Sequence, residues 1–146
     1  MILNDALTYA AKNYEPDAMF DFATLTGSIE VALGNHAIGY FANDDSVAER
    51  IEEASKTSGE RVWRMPLWEV YDQQLKSTVA DFKNTGGRPG GAITAARFLS
   101  KFVMDVPWAH MDIAGVDEQK ADEGYNPKGS RGPTVRLIVD IIRNWG

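Results

Sequence analysis

Three short stretches of this chain hold residue types and spacings that could do chemistry. The first is Trp108 to Ala114, where His110 and Asp112 lie two apart. In a strand, residues at that spacing point to one face. An imidazole and a carboxylate so placed could share a metal ion; the plainer reading, preferred here, is a hydrogen-bonded pair that supports the sheet. The second is Ala18 to Ala23, an apolar run interrupted by Asp21. An unpaired carboxylate in a buried strand is costly, so Asp21 is read as a structural carboxylate accepting backbone N–H bonds, with a catalytic role as the alternative. His36, after Gly34 and Asn35, reads as a turn residue.

The third follows directly from the second. Thr24-Leu25-Thr26-Gly27 leads from the strand into a short helical run, Ser28 to Leu33, which Gly34 ends. Gly27 permits a positive φ or a close backbone approach, and Thr26 or Ser28 can cap the helix. A strand turning sharply into a helix leaves unpaired backbone groups at its C-terminal end, the edge where open α/β sheets bind ligands. Gly86-Gly87-Arg88-Pro89-Gly90-Gly91 also launches a helix. Its N–H groups could cradle a phosphate, but it lacks the Gly-Lys-Ser/Thr ending of a nucleotide P-loop. It is read instead as a loop shaping a pocket.

The elements that must position these residues follow from periodicity. Ile2, Leu3, Ala6, Leu7 and Ala10 make one face of a helix over Ile2 to Asn13. Ala37 to Ala42 reads as a buried strand; Asn43-Asp44-Asp45-Ser46 then offers several N-caps, Ser46 with Glu49 matching a capping box, for a helix bearing Val47, Ile51 and Ala54 and stopping near Gly59. Arg61 to Leu67 is extended because Pro66 disfavours helix at Met65. Trp68 to Lys76 is a short helix with Trp68, Tyr71 and Leu75 on one side, and Val79 to Phe82 is a strand or an irregular link. Ala92 to Val103 is helical, and Trp108 to Ala114 is a strand. Gly115 to Gly132 has no periodicity and reads as a long surface loop, of the kind that is usually functional or mobile. Pro133 fits the first turn of a last helix burying Val135, Ile138, Ile142 and Trp145. Strands alternating with helices predict an α/β fold, a mostly parallel or mixed sheet flanked by helices.

Composition narrows the function classes. The chain has 146 residues, 44% hydrophobic and 25% charged, as in an ordinary globular domain. No apolar run approaches the roughly 18 residues of a membrane span. The absence of cysteine excludes disulfides and thiolate metal sites. A net charge of −6 argues against broad nucleic-acid binding through phosphate neutralisation. The four tryptophans stand at unrelated spacings and read as core or interface.

The segment D-x-A-T-L-T-G-x-x-x-x-A-L-G, from Asp21 to Gly34, resembles the leucyl (cytosol) aminopeptidases. So do G-G-R-P-G-G-A-I-T-A-A-R-F-L (Gly86 to Leu99), W-A-H-M-D-I-A-G (Trp108 to Gly115) and the tail from Ser130 to Leu137. The blocks come in the family's order and cover nearly the whole chain, so residues 1–146 are expected to be one partial catalytic domain, its C-terminal portion. The resemblance implies a cytoplasmic exopeptidase that removes N-terminal residues from peptides. It also implies two divalent cations (zinc, manganese or magnesium), a bicarbonate proton shuttle and a homo-oligomer, the family hexamer.

By the same resemblance, Leu25 and Gly27 would hydrogen-bond the peptide through backbone C=O and N–H. Thr24, Gly27 and Ala114 would line the pocket for the first side chain, and Thr85 would border the pocket beyond the scissile bond. Asp117 stands near a position where a relative can place an apolar pocket residue, so strict leucine preference is not implied. The family's metal ligands include a lysine and the carboxylates of N-T-D-A-E-G-R-L, a signature that runs into a segment like Ile2 to Leu7. Met1 falls one position after that arginine. The expectation is that no metal ligand or catalytic residue lies in this chain, and that alone it is inactive. Two other classes stay open: a non-catalytic assembly or DNA-binding regulatory module, and a nucleotide-binding α/β module using the Gly86–Gly91 loop.

Overall fold

A computed structural model describes residues 1–122, 124 and 127–146. Four strands form the main sheet: β1 (Met19–Ala23), β2 (Ile38–Ala42), β3 (Val62–Arg64) and β4 (Trp108–Asp112), in the order β1-β4-β2-β3. β1 runs parallel to β4 and β2 parallel to β3, while β4 and β2 are antiparallel, so the sheet is mixed. The last main strand in sequence is thus inserted between the first two, and all five of its residues are buried.

The period of two divides the core. Ala109 and Met111 join Tyr40, Ala42, Val47, Ile51, Leu137 and Ile141 on the face covered by α3 (Asp45–Ser58) and α5 (Val135–Arg143). On the other face, Trp108 packs with Leu7 of α1 (Ile2–Asn13) and with Phe98 and Leu99 of α4 (Gly91–Ser100). Phe41 meets Ile29 of α2 (Gly27–Leu33) together with Ala92 and Ala96 of α4. The result is a three-layer α/β/α arrangement, each layer burying the apolar face of the next.

Local chemistry sets the element ends, not always with the residues expected. Of the caps offered by Asn43 to Ser46, Asp44 is the one used at α3, in place of the Ser46–Glu49 box: its carboxylate accepts from Val47 N at 3.1 Å and from Ser46 Oγ. The short helix after β3 is a 3₁₀ segment, Glu69–Leu75, in which Leu75 is buried but Trp68 lies outside, stacked on Tyr71. Val79 to Phe82 is irregular. The expected loop from Gly115 to Gly132 contains a two-stranded antiparallel ribbon, β5 (Glu118–Gln119) with β6 (Gly129–Ser130); its residues 123, 125 and 126 lie outside the described residues.

α5 differs most from expectation. It begins after Pro133, and its buried residues are Leu137 and Ile141, with Ile138 and Trp145 packed alongside, whereas Val135 and Ile142 face solvent. The cause is a cap supplied from elsewhere. The buried Glu60 carboxylate accepts from Thr134 N at 2.9 Å and from Leu137 N at 2.7 Å, which fixes the helix's rotation against α3. Thr134 takes φ +72° to allow it.

Candidate functional site

The site grows from the C-terminal ends of β1 and β4, which lie side by side with Ala23 opposite Asp112. Beyond Ala23 the chain has one turn, Thr24 to Thr26, in which to leave the sheet before α2 begins at Gly27. Thr26 caps that helix, its hydroxyl oxygen accepting from Ile29 N at 3.2 Å.

Asp112 is what holds the turn. Its carboxylate, 2% exposed, is the hub of a cluster that sequence reasoning does not anticipate. Oδ1 accepts from Leu25 N at 3.0 Å, Thr26 N at 3.4 Å and Ala114 N at 3.3 Å. Oδ2 accepts from the Thr26 hydroxyl at 2.6 Å. One side chain therefore ties the turn after β1 to the segment after β4. Hydrogen bonds to an ionised acceptor are among the stronger ones.

His110 and Asp112 are not bonded to each other. His110 Nδ1 lies 2.6 Å from Asp21 Oδ1, and Trp108 Nε1 donates to Asp21 Oδ2 at 2.7 Å. The Asp21 carboxylate is thus occupied by two side chains from β4, not by backbone N–H groups. Its register position opposite His110 dictates this. The imidazole is enclosed by the Trp108 and Phe41 rings, and its Nε2 has no partner among the described residues. Neither residue is arranged as a metal ligand. Among the described residues no group of three or more His, Asp or Glu side chains converges to hold a metal ion.

The residues singled out from the sequence are gathered unequally. Thr24, Leu25 and Gly27 sit exposed on the turn, and Ala114 is brought to its base by the shared Asp112 oxygen. Gly27 does not take a positive φ, and a Cβ added there would meet nothing within 4 Å. The fold therefore does not require glycine at this position. Gly91 differs: a Cβ there would lie 2.4 Å from Ser28 Oγ, so the glycine loop packs directly on the start of α2. Gln74 Nε2 clamps the loop through the Gly86 and Pro89 carbonyls, at 3.3 and 2.9 Å.

Between loop and helix runs an open groove of about 330 Å³, with Gly27, Ser28, Met65, Arg88 and Gly91 in its walls. Thr85 stands on the exposed segment before the loop, where its hydroxyl accepts from Gly87 N. It does not line the groove. Asp117 is half-buried where the chain turns after Ala114, its N–H donating to Ile113 O.

Behind the groove, Asp72 receives Arg97 in a two-pronged bond at 2.8 and 2.7 Å, and Lys101 at 2.9 Å. The Arg97 hydrogen bonds hold the Asp72 carboxyl down at about 2 and raise the guanidinium's own value. This network joins the 3₁₀ segment to α4 and so braces the loop between them.

Chemically, the turn offers a carbonyl and, two residues on, an N–H group in the first turn of a helix, where amides lack intrahelical partners. That is the acceptor–donor pattern by which a strand edge receives an extended chain. Of the turn's two hydroxyls, that of Thr26 is engaged with Asp112 Oδ2 and Ile29 N.

The model of the cytosol aminopeptidase family, catalytic domain, matches residues 1–139. A probable cytosol aminopeptidase of Roseiflexus castenholzii is 52% identical over 99% of this chain, which corresponds to 30% of the relative's length. Another, from Chlorobaculum tepidum, is 53% identical over 99% of the chain and 29% of its own length. The chain thus spans about a third or less of the length of the relatives it matches. Among solved structures, a mutant of tomato leucine aminopeptidase superposes with a TM-score of 0.88 at 44% identity, over 97% of this chain and 27% of the other. The bottromycin maturation enzyme BotP in complex with Mn gives 0.94 at 36% identity, over 99% and 32%. With the three sequence blocks meeting around one turn and a family model matched almost end to end, the chain belongs to the cytosol aminopeptidase family, within its catalytic domain.

Proposed function

We propose that this chain is the C-terminal part of a two-metal leucyl aminopeptidase and supplies the wall against which a peptide substrate lies. The observation that carries the reading is the exposed turn Thr24–Gly27, pinned to the segment bearing Ala114 by the buried Asp112 carboxylate. In the proposal, Leu25 C=O and Gly27 N–H bond the substrate backbone, and Thr24, Gly27 and Ala114 border its first side chain. Thr85 borders the region beyond the scissile bond. Such groups orient a peptide without generating a nucleophile.

The residues present do not fit a metal pair, since no suitable group of ligands converges among those described. The two divalent ions and the bicarbonate implied by the family are therefore assigned to parts of the full-length protein outside this segment. BotP, a structural relative, is known in complex with Mn. The protein is placed in the cytoplasm, as its relatives' names suggest, and is expected to assemble with copies of itself in the family's hexameric manner. Among the described residues no helix is long and apolar enough to cross a membrane.

The test compares the isolated 146-residue chain with the full-length protein after dialysis against manganese or zinc. The full-length protein should retain about two ions per chain and hydrolyse a leucyl amide. The isolated chain should retain well under one ion and be inactive. Two tightly held ions on the isolated chain would overturn the assignment.

A further inference from the structure

The geometry points to Asp112 as a positioning residue that sets the direction of the Leu25 carbonyl and its distance from the Ala114 wall. The inference rests on the proposed substrate wall and specifies what keeps it in shape.

The argument begins with the planar peptide unit. No peptide bond in the described chain is cis, and in a trans unit the N–H and the preceding C=O point in opposite directions. Thr26 N–H is aimed at the buried Asp112 Oδ1. The Leu25 carbonyl, the other end of that unit, is therefore turned away from the sheet and outward. Leu25 N–H is aimed at the same oxygen, which turns the Thr24 carbonyl outward too. Among the described residues neither carbonyl accepts a backbone hydrogen bond. The Asp112 carboxylate thus orients two successive carbonyls without touching either.

The third N–H on that oxygen widens the consequence. Ala114 N is drawn to Oδ1, while the Ile113 carbonyl behind it accepts from Val116 N and Asp117 N, both at 3.1 Å. Both sides of the proposed first-side-chain pocket hang from one atom. Oδ2 adds the Thr26 hydroxyl, whose oxygen caps α2 and so fixes where Gly27 lies. Removing the carboxylate would free several N–H groups at once, and a displacement of about 1 Å in a positioning element can cost on the order of a hundred-fold in rate.

The experiment uses the full-length enzyme with Asp112→Ala, Asp112→Asn and Thr26→Val. Metal content, the thermal midpoint, and kcat and KM are measured separately for a leucyl and an alanyl amide. Asp112→Ala should lose about a hundred-fold in kcat/KM, with metal content unchanged and the leucyl-to-alanyl ratio altered. Asp112→Asn keeps an oxygen for the three N–H groups and should recover to within about ten-fold of the parent. Thr26→Val, which loses only the Oδ2 contact and the cap, should fall between them and also shift the ratio. A purely structural role would lower the midpoint and leave the ratio and the constants of the folded enzyme alone.

Parent-like constants and ratio in Asp112→Ala overturn the inference, as does Asp112→Asn no better than Asp112→Ala. If Asp112→Ala does not fold, parent-like constants in Thr26→Val overturn it. Gly27→Val, measured alongside, separates the two levels. If it too hydrolyses normally, the substrate wall itself is wrong; if it alone is impaired, only the role of Asp112 fails.

Discussion

Replacing Gly27 with Val separates substrate binding from folding. At most glycines in tight places such a change confounds the two, but here an added Cβ would meet nothing within 4 Å and the backbone is outside the left-handed region. Gly27 opens α2, where valine has the better helix propensity by a few tenths of a kcal/mol. The folded protein should therefore change in stability by no more than about 0.5 kcal/mol. The branched side chain would instead fill the space where the peptide backbone must approach the Gly27 N–H. Losing that hydrogen bond and the aligned geometry should cost about 2–4 kcal/mol in transition-state stabilisation, roughly thirty- to a thousand-fold in kcat/KM. The assay is hydrolysis of a leucyl amide by the full-length protein, with metal content and the urea midpoint recorded for each variant. Asp45→Asn serves as control. Its side chain is 85% exposed and its loss removes only a surface ion pair with Arg64, so activity should change little. Normal hydrolysis by Gly27→Val, with metal loaded and the midpoint unchanged, would show the turn to be a structural corner only.

Gly115 should behave in the opposite way. A Cβ there would lie 2.1 Å from the Gly34 carbonyl oxygen, a backbone atom, so Gly115→Ala should destabilise by about 1–3 kcal/mol in urea denaturation. An unchanged midpoint would mean that the contact relaxes freely. The Asp72 network gives a pH signature. Its folded-state carboxyl, held near 2 by Arg97, lies below the unfolded value, so its contribution is complete above about pH 4 and lost as pH falls through about 2. Asp72→Asn should remove about 1–2.5 kcal/mol at neutral pH, the upper figure being the full shift and the lower allowing for partial exposure. It should also flatten the stability curve between about pH 4 and 2; an acid limb identical to the parent's would refute the assignment.

Much of the fold can be read from periodicity because the strands are short apolar runs and the helices carry clear stripes. The ends of α1 fall where the pattern puts them, and Thr26 is one of the two caps available to α2. What escapes is non-local. Nothing in the chain near α5 announces that Glu60 caps it, so periodicity alone misplaces the buried face at Val135 and Ile142. Asp21, His110 and Asp112 stand out as the polar residues of buried strands, but their partners depend on β1 lying beside β4. That pairing puts Asp21 opposite His110, and leaves Asp112 beside the turn after Ala23. A carboxylate ending a strand beside a Thr-rich turn is the available signal, readable only with the register known.

The most direct test of the substrate wall is a crystal structure of the full-length protein with a non-hydrolysable peptide analogue. The account predicts Leu25 C=O and Gly27 N–H within about 2.7–3.2 Å of the analogue's backbone, its first side chain between Thr24 and Ala114, and Asp112 still holding the turn. An ordered analogue in the metal site that makes neither backbone bond, with its side chain directed away from Ala114, would contradict it.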